Sequence, residues 1–202
     1  MNMPELESER LRIRPFRKDD LETIHRILDD GFGQDERINA TDSDATALTE
    51  RRSWLRWRIV SYEWLAKMVQ PPYGDRSIVL KSNDELIGSV GFGPLSNAFS
   101  QVPELRDGNP ASTHNSTEFG LFCVISSVYQ KHGYATEAGR VMIDYAFNQL
   151  NLHRILACTE YDNLASQRVM RKLGMTILRN PLPDPPWLQV VGLLNNTVTN
   201  PT

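Results

Sequence analysis

The chain has 202 residues, 40% hydrophobic and 23% charged, which is enough for a buried core, and a single domain over residues 1–202 is expected. Its formal net charge is −3 with no block of like charges, which excludes a basic nucleic-acid tail and a polybasic membrane anchor. An anionic partner therefore needs a local site.

The opening residues MNMPELESERLRIRPF carry acids where a secretory leader needs basic and then apolar residues, and no later run reaches membrane-spanning length. The expectation is a cytoplasmic protein without a nucleic-acid or membrane partner. Residues 9–16, ERLRIRPF, alternate Leu11 and Ile13 with arginines as a half-exposed strand does. Lys18-Asp19-Asp20-Leu21 supplies a helix start, Leu21, Ile24, Ile27 and Leu28 recur at helical spacing, and Gly31 is the predicted stop. Residues 32–45 are polar and irregular.

From Ala47 to Val69 the residues Leu48, Leu55, Ile59, Tyr62, Leu65 and Val69 fall on one helical face, closed by Pro71-Pro72. Trp54, Trp57 and Trp64 lie off that face and are expected to pack on neighbouring elements, with a pocket lining as the other reading. Residues 76–81 and 85–92 flank Ser82-Asn83-Asp84 as a strand hairpin. Residues 94–116, rich in Ser, Asn, Pro and Gly, read as a long lid or binding loop. A strongly apolar strand follows over 118–125, then a helix over about 135–149, a strand over 153–161, a helix over 163–173 closed by Gly174, and a last strand over 187–194. This order predicts an α/β (α+β) fold with a mixed, mostly antiparallel central sheet and helices on both faces.

Cys123 and Cys158 sit in apolar runs, where a free thiol behaves as a small hydrophobe. Together with the four His they show no metal-ligand spacing. Asn115-Ser116-Thr117 and Asn195-Asn196-Thr197 match glycosylation acceptors, which have no consequence without secretion.

The stretch QKHGYATEAGRVMIDYAF, residues 130–147, joins a strand to a helix through a glycine-containing turn, which aims backbone amides and the helix dipole at one point. Gln130 to Ala135 thus reads as a pyrophosphate cradle, with Gly133 permitting close approach and Ala135 leaving the helix start clear. Lys131 and His132 either add charge there or are solvated loop residues. Neither the P-loop pattern nor the three-glycine dinucleotide fingerprint is present, so nucleoside triphosphates and NAD are poor candidates.

The run EFGLFCV followed by YQKHGYATEAGRVMIDYAFNQLNLHRILACTEYDNLASQRVMRKLGM resembles the GNAT acetyltransferase superfamily, in particular its RimJ/RimL-like branch. The likeness rests on the phosphate loop, Asp-Tyr-Ala-Phe at the helix end, Leu-His-Arg-Ile, Asn-x-Ala-Ser and Lys-Leu-Gly-Met in order, and on ERLRIRPF as a first strand. It implies acetyl-CoA in a cleft between two splayed parallel strands, 118–125 and 153–161. Pantetheine would pair with backbone near Cys123, Val124 and Ile125, and the pyrophosphate would sit on amides of Gln130, Lys131, His132, Gly133, Tyr134 and Ala135. Lys131 replaces the branch's usual glycine, and would be strained if that position needs positive φ.

The implied reaction is direct attack by an amine on the thioester in a ternary complex, without a covalent enzyme intermediate. An amide near Val124 or Ile125 is the expected oxyanion donor. Glu118 is the candidate base, directly or through water, against a reading as an exposed strand-end charge; Glu160 is the weaker alternative. Met170 occupies the position of the tyrosine acid used by many GNAT enzymes and cannot donate a proton. Asn163 and Ser166 are the branch's alternative, the first holding pantetheine or a water and the second bonding the sulfur, though Asn163 also reads as a helix N-cap and Ser166 as an ordinary first-turn residue. Two other readings stay open: a catalytically silent acyl-CoA-binding module, and an interaction domain using the Trp-rich helix and long loop. The acceptor is undefined, with specificity expected from 47–69, 94–116 and 181–187. Asp42, Asp44, Glu104, Asp107 and Asp184 there are either solvated charges or contacts for a cationic acceptor. A monomer or a homodimer is expected.

Overall fold

The computed structural model describes residues 3–32, 44–106, 108–110 and 112–197. Its strands are β1 (Leu6–Glu7), β2 (Leu11–Arg14), β3 (Gly74–Leu80), β4 (Leu86–Asn97), β5 (Ser116–Ile125), β6 (Arg154–Thr159), β7 (Thr176–Arg179) and β8 (Val190–Asn195). The helices are α1 (Leu21–Phe32), α2 (Asp44–Lys67), α3 (Tyr134–Asn148) and α4 (Leu164–Lys172). The strands hydrogen-bond in the order β1-β2-β3-β4-β5-β6-β8-β7. The pairs β1–β2, β2–β3, β6–β8 and β7–β8 are antiparallel, and β5–β6 is parallel. The mixed, mostly antiparallel sheet expected from the sequence is therefore present.

The chain divides into two units, Met1–Gly91 with Cys123–Met142, and Phe92–Phe122 with Ile143–Thr202, so β4, β5 and α3 each run from one into the other. In the first unit, Phe16, Ile24, Ile27, Leu28, Leu55, Val79, Leu86 and Val124 form the core, with Leu21, Trp54 and Ile59 against it. Ile24, Ile27 and Leu28 are the i, i+3, i+4 face of α1. Gly31 does not stop that helix: it lies inside it, and a Cβ there would sit 2.4 Å from Val124 Cγ2. Its small size admits β5, a requirement that looks like a stop signal in sequence.

The α2 prediction places Leu55 and Leu65 correctly in the interior. Trp54 meets Phe16 edge-on with centroids 5.5 Å apart, as packing requires. Trp57 and Trp64 instead stand mostly exposed, as does Val69, which lies beyond the helix end with φ 56°. Arg14, read as half-exposed, is buried against Asp20, its Nη1 and Nη2 each 2.8 Å from a carboxylate oxygen. Desolvation of both charges offsets much of that pair's attraction, but removing one partner would strand the other.

In the second unit the largest correction concerns 94–116. β4 continues to Asn97, and two 3-10 turns follow at Phe99–Gln101 and Pro103–Leu105. Phe99, Val102 and Leu105 enter a core with Leu156, Leu178, Leu188 and Val191. Their spacing of three is the period of a 3-10 helix, which neither strand alternation nor α-helical periodicity detects. The segment to Leu105 is therefore part of the core and not a lid, while residues 108–110 and 113–115 are exposed. Two smaller corrections lie at the end of the chain. β7 was absent from the sequence reading because four residues after a helix stop carry little pattern. The last strand begins at Val190 rather than Trp187, which sits in a 3-10 turn at Pro186–Leu188 after a cis Asp184–Pro185 bond. Phe99→Ala is expected to cost about 3–5 kcal/mol in urea denaturation, whereas a lid residue would change stability by less than about 0.5 kcal/mol.

Candidate active site

In the first unit, β5 ends at Ile125, and the Ser126 amide donates to the Ile87 carbonyl at 2.8 Å. A 3-10 turn follows at Ser127–Tyr129, fixed by the Tyr129 hydroxyl donating to Glu85 at 2.6 Å. The Gln130 side-chain amide turns back to the Ile125 carbonyl at 3.2 Å. Lys131 and Gly133 then both take left-handed backbone, φ 65° and 85°, before α3 begins at Tyr134. Lys131 therefore occupies the strained conformation that the glycine of the related loops avoids, a cost of about 1–2 kcal/mol. A Cβ on Gly133 would meet only Arg10 Nη2, at 3.5 Å, so φ rather than space selects glycine there.

The consequence is a helix start left open. The amide of Glu137 makes the first helical bond, to the Gly133 carbonyl at 3.0 Å. Those of Gly133, Tyr134 and Ala135 have no protein acceptor among the described residues. Such amides, at the positive end of a 15-residue helix, suit an anion. His132 does not project freely: its Nδ1 lies 2.7 Å from the Gln130 carbonyl and its ring stacks on Tyr134 at 5.9 Å.

Arg10 and Glu137 also belong here, and sequence reasoning passed over both. The Arg10 guanidinium pairs with Glu137 and lies 4.5 Å from the Tyr134 ring centroid. Three arginines alternate along ERLRIRPF, and periodicity gives all three the same solvent face. Arg10 meets the loop, Arg12 pairs with Asp84 and Arg14 is buried, a difference set by residues far along the chain.

Cys123, Val124 and Ile125 close β5, with the Ile125 carbonyl taken by Gln130. A Cβ on Gly88 would lie 2.3 Å from the Val124 carbonyl, so β4 backbone passes very near. Burial pushes the half-buried Cys123 thiol, and that of Cys158 in the second unit, up to about 12. Both stay protonated at neutral pH, so neither is a ready nucleophile.

In the second unit, Gly120 of β5 pairs with Leu156 of β6, the sole register position of that parallel ladder among the described residues. Glu118 is not an exposed strand-end charge: both its oxygens accept from Arg154, whose Nε lies 3.0 and 3.2 Å away, with a closer Nη2 contact. Asn163 caps α4, its Oδ1 accepting from the Ser166 amide at 3.1 Å. The half-buried Ser166 hydroxyl has no protein partner among the described residues. Met170 is buried, its sulfur 3.1 Å from where a Cβ on Gly192 would stand, so this position belongs to the core. Glu160 is exposed and accepts from the Thr159 hydroxyl at 3.3 Å. Of the acids considered for a cationic acceptor, Glu104 and Asp184 are exposed. Asp42 and Asp107 lie outside the described residues, as does the side chain of Asp44. No cluster of three metal-ligating side chains occurs among the described residues.

A family model described as an acetyltransferase (GNAT) domain matches residues 10–176. The chain belongs to the GNAT acetyltransferase family. YnaD, an uncharacterized N-acetyltransferase of Bacillus subtilis (strain 168), is 46% identical over 52 residues, 26% of this chain and 31% of YnaD. The chain thus spans under a third of that relative. Spermidine N(1)-acetyltransferase of Escherichia coli (strain K12) is 23% identical over 170 residues, 83% of this chain and 73% of that protein. The crystal structure of ribosomal-protein-S5-alanine acetyltransferase from Vibrio fischeri superposes with a TM-score of 0.65 at 20% identity, covering 98% of this chain and 100% of that one. This likeness carries the fold. The two relatives are N-acetyltransferases by name.

With both thiols held protonated, iodoacetamide at pH 8 should leave Cys123 and Cys158 unlabelled in the native GNAT protein and label both in urea. Rapid native labelling of either would contradict the burial argument.

Proposed function

We propose that this chain, acting as one catalytic domain, transfers the acetyl group of acetyl-CoA to a primary amine. The observation that carries this reading is the set of amides at Gly133, Tyr134 and Ala135 without an acceptor among the described residues, in the loop that the sequence resemblance reads as the phosphate site. They would take the pyrophosphate, with Gln130, Lys131 and His132 completing the loop, and Cys123 to Ile125 would offer backbone to pantetheine.

The neutral amine attacks the thioester carbonyl; the C–N bond forms, the C–S bond breaks, and the thiolate leaves with a proton. An amide near Val124 or Ile125 steadies the oxyanion. Glu118, held in place by Arg154, retains outer lone pairs and takes the ammonium proton through water, with Glu160 as the weaker alternative. Ser166, whose hydroxyl is uncommitted, donates to the departing sulfur, and the free amide of the capping Asn163 holds pantetheine or water. The relatives named for spermidine and for a ribosomal-protein alanine both have amine acceptors in their names, and a primary amine is the class we carry to this chain. The two free cysteines suit a reducing compartment, so we place the protein in the cytoplasm, as a monomer or homodimer without nucleic-acid or membrane partners.

A silent acyl-CoA-binding module is the second reading. It draws on the burial of Met170 where an acid is usual and on the engagement of Glu118 by Arg154. Turnover separates the two.

Calorimetric titration with acetyl-CoA, coupled to thiol release over a panel of amines, peptides and aminoglycosides, tests the proposal. Binding and amine-dependent release are expected. Gly133→Asp, which adds bulk and negative charge to the cradle, should abolish binding. Ser166→Ala should leave binding intact and lower kcat by about 10²-fold. Normal binding by Gly133→Asp would overturn the phosphate site, and binding without release from any acceptor would favour the silent module.

A further inference from the structure

The loop combines strained backbone with few backbone hydrogen bonds of its own. Two left-handed residues, Lys131 and Gly133, flank His132, and the stretch carries few internal bonds. Beside the bonds of Tyr129 to Glu85 and of Gln130 to Ile125, one side chain of the first strand region reaches the turn itself. Arg10 Nη1 donates to the His132 carbonyl at 3.2 Å, the peptide between the two left-handed residues. Its Nε donates to Glu137 Oε2 at 2.7 Å, and Nη2 lies 2.5 Å from the same oxygen. The face of the guanidinium covers the Tyr134 ring at 4.5 Å.

Glu137, in the first turn of α3, is equally committed. Its Oε1 accepts from the Arg10 amide at 3.0 Å and from the Ser8 hydroxyl at 2.7 Å. Burial alone would raise its carboxyl, but the Ser8 hydroxyl, the Arg10 amide and the Arg10 guanidinium outweigh that and hold it below the ordinary glutamate value. Arg10 thus commits its Nε/Nη2 edge to Glu137 and an Nη1 hydrogen to the His132 carbonyl. It touches the His132 carbonyl, the Tyr134 ring and the Glu137 carboxylate, which bracket the open amides.

We propose that the Arg10–Glu137 pair is a clamp that preorganises the phosphate loop, making Arg10 a positioning residue for coenzyme A. This rests on the acetyl-CoA reading above. A loop with strained backbone populates its binding shape only in part unless something outside holds it, and apparent affinity falls with that fraction. The fork geometry matters: one guanidinium bonds a carboxylate and a carbonyl while stacking on a ring, which an ammonium cannot reproduce.

The test uses the full chain, coenzyme A and trypsin. Arg10→Gln should raise the calorimetric Kd for coenzyme A about 10-fold, raise KM for acetyl-CoA similarly, and leave kcat at saturation unchanged. Arg10→Lys should not restore affinity. Lys131→Gly, which accepts φ 65° without strain, should recover most of the loss in the Arg10→Gln background, lowering Kd by a larger factor there than in the native one. Equal effects of Lys131→Gly in both backgrounds, or a lowered Tm with unchanged Kd, would overturn the clamp. A cofactor-free readout keeps the two ideas apart: trypsin should cut after Lys131 faster in Arg10→Gln than in the native chain, with other sites unchanged. Unchanged cleavage at Lys131 overturns the clamp even where coenzyme A binds. Faster cleavage in a protein that binds no coenzyme A supports the clamp and overturns the functional reading instead.

Discussion

The amides at the start of α3, among them Gly133, Tyr134 and Ala135, have no protein acceptor among the described residues, and this is the constraint the phosphate loop is built around. Helix starts usually satisfy such groups with a capping side chain, as Asn163 does for α4. At α3 left-handed backbone at Lys131 and Gly133 precedes the helix, and the ring of His132 bonds the loop's own carbonyl. A site that must accept an anion cannot fill itself. Its stability has to come from neighbours, and Arg10, Ser8, Glu85 and the end of β5 supply it.

The contrast with α4 separates two uses of the same local chemistry. There the cap closes the helix, yet Asn163 spends only its oxygen and Ser166 only its amide, leaving one amide and one hydroxyl for other partners. Structural and chemical roles are compatible because each side chain has more than one polar group. Glu118 illustrates the opposite economy: a guanidinium that bonds both carboxylate oxygens fixes its position, and any proton it takes must come through lone pairs outside the bridge. Met170 completes the picture by lying in the core over Gly192, so no acid chemistry comes from that position.

Much of this was legible in the sequence because it depends on short-range pattern. Strand alternation located β2, and apolar run length located β5 and β6. Helical spacing located α1 and α3, and the glycine turn located the open amides. What was missed depends on partners distant in the chain or on an unfamiliar period. Gly31 reads as a stop until Val124 is known to press against it. Phe99, Val102 and Leu105 read as loop because three is neither two nor three point six. Arg10, Arg12 and Arg14 look alike until Glu137, Asp84 and Asp20 distinguish them. For the site, backbone features were readable and electrostatic partners were not, since an ion pair leaves no periodic trace.

The central claim is that the open amides of the α3 start receive the cofactor's phosphates. A 15N–1H correlation titration of the full chain with coenzyme A tests it most directly. The account predicts that the Gly133, Tyr134 and Ala135 amide resonances move farthest, saturating with the bound fraction. Saturable shifts confined to other residues, with these three unmoved, would contradict it.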